Sequence, residues 1–81
     1  MNPEIIKEAE RLIDLHKFKL QGTEHVFIGQ AIKAAIISAT TAKNTLMRAA
    51  KAEFDAGHSP TFIKPEIELY SYVINYLKSK L

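Results

Sequence analysis

Apolar residues recur along this chain at steps of three and four, the period of an α-helix, in blocks divided by glycine and proline. The first block opens with Asn2 as N-cap, Pro3 at the first helical position and Glu4 at the positive end of the dipole. Ile5, Ile6, Ala9, Leu12, Ile13, His16 and Leu20 then fall on one face, and Gly22 is the natural stop.

Thr23 is placed to cap a second helix, with Glu24 in its first turn and Gly57 as the next strong stop. Ile28, Ile32, Ala35, Ala39, Ala42, Leu46 and Ala49 form its stripe, which Ala50 and Phe54 extend. Gln30, Lys33, Asn44, Arg48, Lys51 and Asp55 form the opposite face. Such a helix runs about 33 residues, or ~50 Å at 1.5 Å per residue. The β-branched cluster Ile36-Ile37 to Thr40-Thr41 is the place where it would bend or break. Gly57-His58-Ser59-Pro60 reads as a turn, followed either by a short turn capped by Ser59 or by extended chain to Pro65. The third helix has Pro65 at its first helical position, Glu66 and Glu68 at its positive end, Lys78 and Lys80 at its negative end, and a main stripe of Ile67, Tyr70, Ile74, Leu77 and Leu81.

These elements predict an all-α fold: residues 1–81 as a single domain, a small bundle of three helices with short antiparallel connections. A straight middle helix gives an elongated chain with a thin core, which favours a homodimer. Its alanine stripe, Ala35, Ala39, Ala42 and Ala49, would let another helix approach closely. A break near Thr40 gives a compact four-helix bundle instead. The pattern leaves both open.

Composition narrows the function. The chain has 81 residues, 47% hydrophobic and 25% charged, as in ordinary globular domains. No apolar run reaches the roughly 18 residues of a membrane span, and the N-terminus lacks the charged-then-apolar order of a signal peptide, so a cytoplasmic location is expected. Eleven Lys and Arg against nine Asp and Glu leave a net charge of only +2, with arginine at Arg11 and Arg48 alone, which argues against nucleic acid.

Catalytic and ligand-binding patterns are missing from the sequence. With no cysteine, and with His16, His25 and His58 far apart, no metal site is expected. Gly22, Gly29 and Gly57 are isolated, so there is no phosphate loop and no cofactor is expected. The carboxylate pairs Glu4/Glu8 and Glu10/Asp14 have basic neighbours three residues on (Lys7, Arg11, Lys17) and read as a solvated ion-pair face. Ser59 beside His58 is a better cap than nucleophile. No catalytic residue is assigned, and the protein is not expected to be an enzyme. His16, central in the first stripe, is either a pH switch or a core-edge histidine bonded to a neighbour.

The positive signal is apolar side chains off the stripes. Leu69, Tyr72 and Tyr76 project roughly opposite Ile67, Tyr70 and Ile74, and the two tyrosines, four residues apart, share a row with Lys80. Phe18, with Leu15 beside it, points away from the first stripe, and Ile37 interrupts the polar row of the second helix. Leu69, Tyr72, Tyr76, Leu15, Phe18 and Ile37 are therefore the expected protein-interface residues, because surplus apolar surface must meet a partner and tyrosine suits interfaces. For Ile37 alone, the reading without a partner is favoured, because single exposed apolar residues are ordinary.

The runs Met1-Asn2-Pro3-Glu4-Ile5-Ile6 and Ser71-Tyr72-Val73-Ile74-Asn75-Tyr76-Leu77, in a chain of this length, resemble the lysis-inhibition accessory proteins of T-even bacteriophages. The resemblance implies a protein of the infected host's cytoplasm that helps delay lysis, with the cytoplasmic part of the holin as its partner and an antiholin acting alongside it. It transfers no functional residue. The expected function is a small non-enzymatic protein-binding regulator. The alternative is a nucleic-acid-binding modulator, a helical dimer using Lys43, Arg48 and Lys51.

Overall fold

The computed structural model describes the backbone of residues 2–19 and 28–81 and the side chains of residues 2–17 and 29–81. Three helices make up these segments: α1 (Pro3–Lys19), α2 (Ile28–Asp55) and α3 (Lys64–Ser79), with no strand among the described residues. None of these helices is long and apolar enough to cross a membrane. The expected stop at Gly22, the cap at Thr23, the stripe position Leu20 and the side chains of Phe18 and Ile28 lie outside the described residues.

Local chemistry sets the ends. Asn2 Oδ1 accepts a hydrogen bond from the Glu4 amide at 2.9 Å, satisfying an amide that the first turn of α1 leaves free. At the C-terminus of α2, the Gly57 amide donates to the Phe54 carbonyl and the His58 amide to the Glu53 carbonyl, with Gly57 at φ +84°. This paired reversal needs a left-handed residue, which explains the glycine. The following turn leads straight into α3. The amides of Ile63 and Lys64 both donate to the Pro60 carbonyl, and α3 starts with no side-chain cap. Ser59 donates to the Thr61 hydroxyl instead, so neither an extended run to Pro65 nor a Ser59 cap is needed.

Helix α2 is continuous through Thr40, which sets aside the four-helix alternative. Thr40 Oγ1 donates to the Ile36 carbonyl at 2.8 Å, and Thr45 Oγ1 donates to the Thr41 carbonyl at 2.9 Å. Hydroxyls that bond back to the preceding turn are accommodated in a helix, so the β-branched cluster does not break it. At 28 residues, α2 is about 42 Å long and runs most of the 51 Å long axis of the molecule. The radius of gyration is 14.7 Å, against about 12 Å for a compact domain of this length.

All three helix pairs pack on one core. It comprises Ile5, Ala9, Leu12 and Ile13 of α1, Ala31, Ile32, Ala35 and Ala39 of α2, and Val73, Ile74 and Leu77 of α3. Ala9, Ala31, Ala35 and Ala39 are wholly buried, so small side chains on both helices allow the close approach. Half of the alanine stripe expected to meet another chain thus serves this chain's own helices, whereas Ala42 is half-buried and Ala49 exposed.

Two stripe assignments are corrected. The buried face of α3 is centred on Val73 and Leu77, with Leu69, Tyr70 and Tyr76 packed along its edge. Val73 was absent from the expected stripe, and Leu81 at its end is 63% exposed. On α2, burial fades along one continuous stripe: Ala39 is buried, Leu46 and Ala50 half-buried, and Phe54 is 71% exposed. The stripe is regular, but α1 and α3 cover only its first part.

Candidate protein-binding surface

The shift of the α3 core face decides what the tyrosine row is. Val73 and Tyr76 lie three residues apart, so they are neighbours on the helix surface. Tyr76 is accordingly half-buried against the core, as is Leu69, and neither stands on a separate opposite face. Tyr72, further round the helix, remains 58% exposed.

Tyr72 forms a ridge between two grooves where α3 meets the start of α1. On one side, Tyr72, Asn75, Tyr76 and Ser79 face Asn2 and Ile5 across an open, mainly apolar groove of about 550 Å³. On the other, Tyr72 and Leu69 face Asn2, Glu4 and Ile5, with Pro65 and Glu68 closing the end. The structure therefore brings three of the sequence-selected residues, Leu69, Tyr72 and Tyr76, onto one surface. Sequence reasoning missed Asn2, Ile5 and Asn75, which complete it. Ile5 had been assigned to core and Asn2 to the cap, and only the fold sets them against the tyrosines.

The chemistry of this surface is apolar with a polar edge. The rings of Tyr72 and Tyr76 and the side chain of Ile5 supply the apolar area, and the Asn75 amide, the tyrosine hydroxyls and the Ser79 hydroxyl lie along it. Lys80 Nζ lies 4.9 Å from the centre of the Tyr76 ring, a cation–π contact that places a positive charge beside the groove. Ser79 Oγ donates to the Tyr76 carbonyl at 2.5 Å and ties down the last turn.

The remaining expected interface residues lie elsewhere. Leu15 on α1 is 39% exposed and Ile37 on α2 is 68% exposed, and neither borders the tyrosine grooves. The Phe18 side chain lies outside the described residues. A second exposed apolar set, Met47, Phe54 and Phe62, was not selected from the sequence. The spacing of seven between Met47 and Phe54 placed them on one helix face, but Phe54 had been read as core.

Among the described residues, few charged groups are paired. Arg11 pairs with Glu8 one turn earlier. The hydrogen bond to that carboxylate holds the Arg11 guanidinium above its ordinary pKa, against the opposing effect of burial and with further help from the Glu8 charge and Tyr70. The pair is exposed and adds little stability. His16 Nε2 and Ser38 Oγ share a hydrogen bond of 2.8 Å, and His58 Nδ1 lies 3.0 Å from Glu53 Oε2. Among the described residues, no three His, Cys, Asp or Glu side chains are grouped as metal ligands would be. Comparison of the chain with protein-family models, with curated proteins and with solved structures found no match.

Proposed function

We propose that this protein is a small non-enzymatic regulator that works by binding another protein through the Tyr72 ridge and its flanking grooves. The supporting observation is Tyr72 itself: an aromatic side chain 58% exposed between two grooves floored by Ile5. A rigid ring with a polar tip gives large contact area at low entropic cost, the property that makes tyrosine a frequent interface anchor. The partner that fits is a protein segment presenting an apolar side chain to the groove and polar backbone or side-chain groups to Asn75 and the hydroxyls. In its most specific form, resting on the resemblance of the chain ends, the protein is a phage lysis-inhibition accessory protein. It would act in the host cytoplasm and bind the cytoplasmic segment of the holin.

The test is capture of that segment by the immobilised protein over a salt series. Apolar anchoring predicts retention that changes little between low and high salt, and that survives Lys43→Ala with Lys51→Ala. Tyr72→Ser should weaken it about 5- to 30-fold, since loss of a well-packed aromatic anchor costs ~1–2 kcal/mol. Steep loss with salt, or loss in the lysine variant, would instead mean that charge on α2 rather than the Tyr72 ridge carries the binding.

A further inference from the structure

The distal half of α2 carries apolar surface that the chain's own fold does not cover. Beyond Ala39 the stripe continues through Leu46, Ala50 and Phe54, with Met47 on its flank. Phe54 is 71% and Met47 50% exposed. Met47 and Ala50 also line a groove whose other wall is Pro60, Lys64 and Ile67. Phe62, 68% exposed, stands in the turn between Pro60 and Lys64. One end of the molecule therefore bears both a groove and two protruding aromatic rings.

We infer that this end is a homodimer interface, in which a second copy of the chain packs its distal α2 antiparallel to the first. Two features select a second copy over another partner. The first is shape. A two-fold axis near the level of Lys51 and Ala52 sets Phe54 of each copy over the other's Met47–Ala50 groove, so one patch supplies both knob and hole, as an isologous contact requires. The second is charge order. Along α2 the basic residues Lys43, Arg48 and Lys51 precede the acidic Glu53 and Asp55. In an antiparallel pair, residues on the same flank meet, so Arg48 of each copy faces Asp55 of the other, twice. Lys51 approaches its own copy near the axis, where its long stem lets the ammonium reach water.

Two phenylalanines and a methionine at these exposures offer on the order of 400 Å² per chain, counting up to ~250 Å² for a whole aromatic side chain. Both copies together thus offer about 800 Å², roughly two thirds of the ~1,200 Å² of the smaller specific interfaces, and Ala49, Leu46 and Ile67 with their neighbours supply the rest. Glu68 lines both the Met47–Ala50 groove and the end of one tyrosine groove, but Tyr72 and Tyr76 border only the latter surface, so the dimer leaves the tyrosines free.

Sedimentation of the full chain between 1 and 100 µM, as trial concentrations of about the usual range for such interfaces, tests the inference. The parent should sediment as a dimer at the upper concentration. Phe54→Glu should weaken self-association at least about tenfold while circular dichroism keeps its helical signal, because Phe54 is not core. Arg48→Asp and Asp55→Arg should each weaken the dimer, and the double variant should restore it. A monomer at the upper concentration would overturn the inference. So would a dimer that Phe54→Glu leaves intact, one that the double variant fails to rescue, or one that Tyr72→Ser abolishes.

Discussion

His16 Nε2 and Ser38 Oγ meet at 2.8 Å, joining the last turns of α1 to the middle of α2 across 22 residues of sequence. His16 thus takes the role of a half-buried histidine with a tertiary hydrogen bond. Ser38→Ala removes the hydroxyl and leaves the imidazole nitrogen without that partner. The expected loss is about 0.5–1.5 kcal/mol of unfolding free energy, with an unchanged denaturant slope in urea titration. An unaltered midpoint would mean that the bond adds nothing to the α1–α2 contact.

Leu77 and Leu46 separate true core from apparent core. Leu77 is wholly buried, and Leu77→Ala should cost ~2–5 kcal/mol, enough to unfold much of a domain with so few large buried side chains. Leu46, a position of the same kind of apolar stripe, is only half-buried, so Leu46→Ala should be milder. It should cost no more than about half as much, because half the transfer term is absent and no closed cavity forms. Thermal unfolding of the two variants side by side checks the order.

The two tyrosines should also part company. Tyr76 packs against the core and carries Lys80 over its ring, so Tyr76→Ser should cost about 1–2 kcal/mol of stability. Tyr72→Ser removes an exposed ring and should fall within about 0.5 kcal/mol of the parent. Equal melting temperatures for both variants would place Tyr76 outside the core, where the sequence pattern alone had put it.

The helices were legible because each follows a local rule. Asn2 caps α1, Gly57 reverses the chain after α2, and a period of 3.6 runs through each helix. What local rules could not say is how far α1 and α3 extend along α2, and hence that Phe54 is exposed although its stripe position matches that of Ala39. The α3 face was misjudged for a related reason. Ile67, Tyr70, Ile74, Val73, Leu69 and Tyr76 spread apolar side chains around most of the helix, so more than one face could serve as core. Only the packing of Val73 and Leu77 on the other helices fixes which side faces in. Three of the six expected interface residues, Leu69, Tyr72 and Tyr76, meet on one surface, while Leu15 and Ile37 stay apart from it.

The most direct test of the proposed binding surface is amide chemical-shift mapping of the isotope-labelled protein titrated with the holin's cytoplasmic segment. Binding at the Tyr72 ridge predicts saturable shifts at Ile5, Leu69, Tyr72, Asn75 and Tyr76, with Met47 and Phe54 unmoved. Shifts centred on Met47 and Phe54, shifts spread along Lys43, Arg48 and Lys51, or no shifts at a several-hundred-micromolar excess (affinities weaker than about 1 mM being negligible) would contradict it.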